Sequence, residues 1–224
     1  MMRTGTIVTL LCLLVLGSAC SSGDRAPEVA KPRAVVLITV DGMLGADLAL
    51  FGGATPTPGL ARLAARGAAW DDAWTAAPMT RPAVATYLTG LAPDRHRVRD
   101  DLFTGLDGGV PTLATAFAAA GYDTAAFPDS SFLGYGCGLL DGFEVAAAPP
   151  ALRIGGERWV PDIRTVDAIT ADFDAWLDSV AAERPYFAWL HFSGPMMAQI
   201  WEATTSRITS PEVAARRVAA REEQ

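Results

Sequence analysis

The sequence predicts an α/β fold in which a mostly parallel central sheet is flanked by helices. Residues 35–40 form an apolar, β-branched run of strand length that ends on Asp41, as expected of a buried parallel strand. A helix pattern that begins after Thr112 and stops at Gly121 then leads into a second strand pattern at residues 122–127. A strand, a helix and another strand in this order are typical of a parallel sheet.

Other helices have clear start and stop signals. Thr57 is a suitable N-cap, Pro58 suits the first helical position, and Gly67 ends the pattern. Apolar residues at helical spacing over residues 166–180 predict a longer helix that packs its aromatic face on the sheet. The apolar segment that follows, Tyr186–Phe192, predicts a further buried strand.

Two polar residues stand where α/β folds place their chemistry. Asp41 follows the first strand, so it reaches the carboxyl edge of the sheet. Thr80 lies two residues before Pro82 in a helix predicted to end near Gly90, which places its hydroxyl at a helix N-terminus, where an anion is favoured. Two structural alternatives stay open: Asp41 only caps the next turn, or Thr80 only caps its helix.

Composition and charge narrow the class of protein. The chain has 224 residues and a net charge of −7 with no basic tract, which argues against nucleic acid as a partner. The three cysteines include one in an apolar leader and one at its end, so Cys137 alone remains and no intrachain disulfide is expected.

The N-terminus has the layout of a secretory signal. Residues 1–20 contain Arg3, then an apolar stretch at residues 7–16, then small residues before Cys20. The end of this segment resembles a bacterial lipoprotein box, which would make Cys20 a lipidation site. Residues 21–33 are short, polar and contain proline, as in a tether.

These features predict a lipoprotein of the cell envelope, anchored to the membrane through its lipidated N-terminus. Because Ser21 rather than Asp follows Cys20, the outer membrane is the preferred location. The alternative is ordinary signal cleavage near Ala19, which would give a secreted or periplasmic protein.

The order of several short motifs resembles the sulfatase group of the alkaline-phosphatase superfamily. The likeness covers most of the chain from Val35 to about Pro195. The motifs that carry it are Val40-Asp41-Gly42, Thr57-Pro58-x-Leu60, Thr80-x-Pro82, Leu88-Thr89-Gly90-Leu91-x-Pro93, Arg95-His96, Pro111-Thr112-Leu113-Ala114, the unit from Ala120 to Phe127, and the strand from Tyr186 to Phe192.

The resemblance implies roles for two residues. Asp41 matches the first metal-binding aspartate of the family, and Thr80 matches the nucleophile, in a combination closer to the phosphodiesterase branch. It implies a divalent cation (Ca, Zn, Mn or Mg) and a sulfate or phosphate ester substrate if the protein is active. Such a cation lowers the pKa of a bound hydroxyl and offsets the negative charge of the ester.

Several positions depart from the family pattern. Val84 replaces the arginine of the maturation motif, so formylglycine formation at Thr80 is excluded. Ala83 and Val84 stand where phosphodiesterase relatives carry Asn and His, Gly42 stands at the second paired metal ligand, and Met196 stands at the active-site histidine. Lys31 is the only lysine and lies in the tether.

The remaining candidates are two histidines and two acids. His96 matches a histidine near the rim of the family's site, but Arg97 follows it in place of glycine, which favours a surface or loop position. His191 lies in an apolar strand, which favours a satisfied core histidine over a metal ligand. Asp47 or Asp94 could supply a replacement metal ligand.

The predicted organisation is a sulfatase-like domain at residues 34–195, lacking the C-terminal portion of the family fold, and a tail at residues 196–224. Three functions stay open: a catalytically weak or inactive sulfatase-like envelope protein, an active metal-dependent sulfatase or phosphodiesterase using Thr80, and a truncated product without function. An interrupted sheet would leave an apolar edge near Tyr186–Phe192 for a protein partner to cover.

Overall fold

Four parallel strands form the central sheet. The computed structural model describes residues 31–134, 136–149, 163–181 and 183–195. The strands lie in the order β1-β4-β2-β3, and every neighbouring pair is parallel. This arrangement confirms the predicted fold class. The strands are β1 (Ala34–Val40), β2 (Asp123–Pro128), β3 (Val145–Ala146) and β4 (Tyr186–Phe192).

Five α-helices join or flank these strands in the described residues, together with three short 3-10 turns at Gly45–Asp47, Ala49–Phe51 and Ser131–Leu133. The predicted starts at Pro58, Thr80 and Leu113 are all observed. None of the described helices combines the length and apolar character needed to cross a bilayer. The helices are α1 (Pro58–Ala64), α2 (Thr80–Thr89), α3 (Pro93–His96), α4 (Leu113–Ala119) and α5 (Val166–Ser179).

Each face of the sheet has its own apolar core, because successive side chains of a strand point to opposite faces. Phe187 and Trp189 of β4 pack on one face with buried residues of α2 such as Leu88. Ala188 and Leu190 pack on the other face, where Ile169 of α5 is completely buried. As predicted, α5 directs its aromatic residues, Phe173 and Trp176, against the sheet.

The exposed edge of the sheet is not where the sequence suggested. β4 lies between β1 and β2 and is therefore central, so the expectation of an apolar edge near Tyr186–Phe192 is wrong. Strand β1 is the edge strand beside it in the described sheet. Its residues Val36 and Ile38 are 41% and 55% exposed, and neither belongs to the apolar core that Ile169 of α5 forms with β2 and β4.

Candidate functional site

Asp41 stands at the carboxyl end of β1, as predicted. Its backbone N–H donates to the carbonyl of Phe192 at the end of β4, 2.8 Å away. Gly42 follows with φ of 70°, so the chain turns sharply out of the strand. The side chain of Asp41 is 24% exposed. Pairing with β4 therefore fixes the backbone, while the carboxylate stays within reach of solvent.

Thr80 meets Asp41 directly. It is the first residue of α2, only 4% exposed, and its hydroxyl donates to Asp41 Oδ2 at 2.5 Å. Met79 is the N-cap residue of this helix and provides no side-chain cap. The hydroxyl of Thr80 is thus committed to Asp41 rather than to capping, and the structure brings together the two residues that the sequence singled out.

The side chain of Asp101, which the sequence did not single out, caps the N-terminus of α2. Asp101 accepts a hydrogen bond from the backbone N–H of Arg81 at 2.6 Å. Burial raises the pKa of Asp101, although the amides of Arg81 and Thr80 act in the opposite direction. The first amides of α2, expected to favour a bound anion, therefore face a carboxylate of the protein itself.

His191 also lies at this site. It is 1% exposed, its Nδ1 is 2.8 Å from the Thr39 hydroxyl, and its Nε2 is 3.6 Å from Asp41 Oδ2. Within the described residues, Nε2 has no hydrogen-bond partner. The expected satisfied core histidine is therefore only half right, since one ring nitrogen is bonded and the other faces Asp41. The pairing of β1 with β4 places Thr39 opposite His191, and this register is not visible in the sequence.

Asp41 remains ionised at neutral pH. Burial alone would raise its pKa, but the nearby His191 ring and the hydrogen bond from Thr80 outweigh burial, so the pKa lies below its usual value. A carboxyl group with a lowered pKa holds a proton weakly and is a weak general base. Asp41 therefore orients the Thr80 hydroxyl but is poorly suited to remove its proton.

A buried acid, Asp129, lies near His191. Asp129 follows β2, is 3% exposed, and accepts hydrogen bonds from both the amide and the hydroxyl of Ser193. Burial raises its pKa, and the bonds from Ser193 and the charge of His191 oppose that shift. No sequence motif marked Asp129, but its position just after a strand at the same edge as Asp41 was a usable signal.

His96 is the clearest correction among the candidates. It is 1% exposed rather than on the surface. Its Nε2 lies 3.0 Å from the hydroxyl of Thr86, and its Nδ1 accepts from the amide of Val98. Burial lowers its pKa. Both ring nitrogens thus hold the turn after α3 against α2, which explains a buried histidine beside Arg97, whose φ is 65°.

The donor set around Asp41 does not fit the divalent ion that the resemblance implies. Across the described ranges, no group of three or more His, Cys, Asp or Glu side chains could hold a metal ion. Gly42 offers no side chain, and Asp47 and Asp94 are both exposed. A single carboxylate binds hard cations weakly, because such ions require several protein ligands.

Four residues singled out in the sequence lie outside this geometry. Val84 is 1% exposed in the core of α2, so it replaces the family arginine with an apolar contact. Lys31 is exposed. Cys20 and Met196 lie outside the described residues, so their predicted roles are unchanged.

Comparison with known proteins shows similarity to sulfatases. The family model described as Sulfatase matches residues 33–199. The chain is 28% identical over 212 residues to the arylsulfatase of Klebsiella aerogenes, covering 78% of this chain and 45% of that protein. It is 33% identical over 138 residues to the steryl-sulfatase of Mus musculus, covering 56% of this chain and 22% of that protein.

The fold is also similar to solved structures. The phosphonate monoester hydrolase of Agrobacterium radiobacter superposes with a TM-score of 0.55 at 22% identity, covering 74% of this chain and 41% of that one. This likeness concerns the fold. The chain spans less than half the length of each of these relatives.

Proposed function

Because this chain belongs to the sulfatase family, whose pattern it matches over residues 33–199, we propose that it carries the Thr80 and Asp41 part of an ester-hydrolase site. We propose further that the chain by itself hydrolyses sulfate or phosphate esters weakly or not at all. The observation that supports this is the 2.5 Å hydrogen bond from Thr80 to Asp41. It lies in a described region that offers no group of three metal-binding side chains.

The chemistry of the pair supports low activity. An alcohol such as Thr80 is a weak nucleophile unless a base or a metal ion activates it. The lowered pKa of Asp41 makes that carboxylate a poor base. The buried side chain of Arg81, the residue after Thr80, donates from its guanidinium to the backbone carbonyls of Phe132 and Thr104, so two of its donor groups are already used within the protein.

The second candidate is an active metal-dependent sulfatase or phosphodiesterase that uses Thr80 as nucleophile. It is favoured by the burial of the Thr80 hydroxyl beside an ionised carboxylate, since reactive groups are commonly held in this way before substrate binds. In this case the cation would need ligands beyond those that the described residues bring together at Asp41.

An activity assay separates the two candidates. The purified full chain is tested with chromogenic sulfate, phosphate monoester and phosphodiester substrates, each with added zinc, manganese, calcium or magnesium. We expect no turnover above that of the Thr80→Ala and Asp41→Ala variants. Turnover that both variants abolish, and that Thr80→Ser retains, would establish the active enzyme. Asp47→Asn and Asp94→Asn then test whether an exposed acid completes the metal site.

The location is a separate proposal that rests on the sequence. We propose that Cys20 is lipidated and anchors the protein to the cell envelope, with the outer membrane preferred. The support is the order of Arg3, the apolar stretch at residues 7–16 and the small residues before Cys20. Mass spectrometry of the mature N-terminus tests it: a diacylated or triacylated Cys20 is expected, and an unmodified start at another residue would refute it.

A further inference from the structure

The hydroxyl of Thr39 lies at the centre of a partly buried polar group beneath the site. Four polar atoms surround its Oγ1: Trp189 Nε1 at 3.0 Å, the Tyr87 hydroxyl at 3.4 Å, His191 Nδ1 at 2.8 Å and the Leu190 carbonyl at 3.4 Å. A threonine hydroxyl has one proton to donate and two lone pairs that accept. The positions of its neighbours therefore determine the direction of each hydrogen bond.

One assignment of donors uses the shortest contact of the Thr39 proton. The indole N–H of Trp189 can only donate, and the Tyr87 hydroxyl is oriented to donate, so together they fill both lone pairs of Thr39. The single proton of Thr39 then goes to the shorter contact, His191 Nδ1, rather than to the Leu190 carbonyl. Nδ1 accepts this bond, so a neutral His191 carries its proton on Nε2.

The surroundings of Nε2 lead to the same tautomer. Nε2 faces Asp41 Oδ2 at 3.6 Å and has no other partner among the described residues. A protonated Nε2 is attracted to the carboxylate, whereas a bare nitrogen would direct a lone pair at it in a buried space. The other nearby acid, Asp129, has one oxygen bonded to the Ser193 amide and the other to the Ser193 hydroxyl.

We infer that Thr39 fixes His191 as the Nε2–H tautomer, and that His191 is a positioning residue that holds the Asp41 oxygen to which Thr80 donates. Both Nε2 of His191 and the hydroxyl of Thr80 contact the same atom, Asp41 Oδ2. The tautomer is a property of the folded chain alone. Only a role of this tautomer in ester hydrolysis depends on the function proposed above.

Nitrogen NMR of the histidine rings tests the inference. The chain contains only two histidines, so the full-length protein labelled with 15N-histidine gives four ring signals. His96 serves as an internal control, because its Nδ1 accepts from the Val98 amide independently of Thr39. A His96→Gln variant assigns the signals. At a pH where both rings are neutral, we expect His191 with Nε2 protonated and Nδ1 unprotonated.

Substitution of Thr39 shows whether its hydroxyl sets the tautomer. Thr39→Val keeps the shape but removes the donor, and we expect the His191 signals to shift towards those of the Nδ1–H tautomer, to an extent limited by Asp41, while those of His96 stay fixed. Thr39→Ser should retain the wild-type pattern. A wild-type ring with Nδ1 protonated, or with both nitrogens protonated, overturns the inference, as does a folded Thr39→Val protein with an unchanged His191. If Thr39→Val does not fold, the wild-type spectrum decides.

The positioning role has its own readout. The Thr80 hydroxyl proton, buried in a short bond to Asp41, should appear as a downfield proton signal. We expect His191→Gln to move or broaden that signal and Thr39→Ser to leave it in place. A folded His191→Gln protein with an unchanged signal would remove the positioning role. These spectra need no turnover, so a failed hydrolysis assay leaves them interpretable and the two proposals fail separately.

Discussion

Ser193 donates both its backbone N–H and its hydroxyl to the carboxylate of Asp129, at 2.5 and 2.7 Å. Asp129 follows β2 and Ser193 follows β4, so this pair joins the carboxyl ends of two neighbouring strands. The amide of Asp129 adds a bond to the carbonyl of His191 at 3.1 Å. The segment that carries His191 is therefore fixed on the side opposite to Asp41.

The two partners of this pair should differ in their effect on stability. Ser193→Ala removes one hydrogen bond and keeps the amide bond, so we expect a loss of about 1 kcal/mol in the free energy of unfolding. Asp129→Ala removes both bonds and leaves a buried N–H without an acceptor, which should cost about 2 to 4 kcal/mol. Urea unfolding measures both values. Equal losses in the two variants would contradict a role for the amide bond.

Two threonines at helix starts provide a matched pair. Thr112 accepts from the amide of Thr115, and Thr115 accepts from the amide of Thr112, which forms a capping box. Thr57 is also an N-cap residue, but its hydroxyl is buried and unpaired among the described residues. We expect Thr112→Ala to cost about 1 kcal/mol, and Thr57→Ala to be neutral or slightly stabilising because it removes an unpaired polar atom. Thermal and urea unfolding compare the two. A larger loss at Thr57 would refute this assignment.

Alanine substitutions at two glycines distinguish the cost of backbone strain from the cost of a steric clash. Gly136 and Gly138 have φ of 92° and 76°, so alanine is strained at either position. A Cβ at Gly136 meets nothing within 4 Å, whereas a Cβ at Gly138 would lie 2.2 Å from the carbonyl oxygen of Leu106. We expect Gly136→Ala to cost about 1 to 2 kcal/mol and Gly138→Ala to cost about 1 to 3 kcal/mol more. Unfolding midpoints that fall together would show that the loop relaxes freely.

The pKa values of two neighbouring acids, Asp100 and Asp101, should be shifted in opposite directions. The amide of Phe103 lowers the pKa of Asp100 most, and those of Leu102 and Thr104 help to bring it to about 2 against the opposing effect of burial. Burial instead raises the pKa of Asp101. Stability from Asp100 is thus complete above its unfolded pKa of about 4 and is lost as pH falls towards 2. Ionisation of Asp101 reduces stability as pH rises from about 4 to its raised pKa.

Carboxyl carbon NMR checks this contrast residue by residue. We expect the Asp100 signal to titrate below the usual range and the Asp101 signal above it. Asp100→Asn should flatten the fall of stability below pH 4 and leave the Asp101 titration in place. If both acids titrate at the usual value, the amide bonds to Asp100 do not persist in solution.

Local sequence patterns were sufficient to predict the site residues whose positions depend on a single strand or helix. A carboxylate directly after an apolar run predicted Asp41 at the end of β1, and a proline two residues after Thr80 predicted a helix start there. These patterns act through neighbouring residues of the chain, so no knowledge of the tertiary structure was needed.

The missed parts depend on contacts between distant segments. Asp101 caps α2 from a loop 20 residues further along, and Asp129 is 64 residues from Ser193. His96 looked exposed because Arg97 follows it, but a left-handed Arg97 turns the chain so that the ring packs against α2. Burial of a polar side chain is decided by whether a distant partner exists, and spacing in the sequence does not reveal that partner.

The position of β1 in the chain affects how the protein folds during synthesis. β1 pairs in the described sheet with β4 alone, and the bond from Thr39 to His191 joins residues 152 positions apart. At translation rates of about 5 to 20 residues per second, roughly 8 to 30 s pass between synthesis of the two strands. Throughout that interval the apolar β1 has no native partner, and contacts of such long range close slowly. The first strand is therefore open to aggregation during that interval, and the Asp41 site cannot form before β4 has been synthesised.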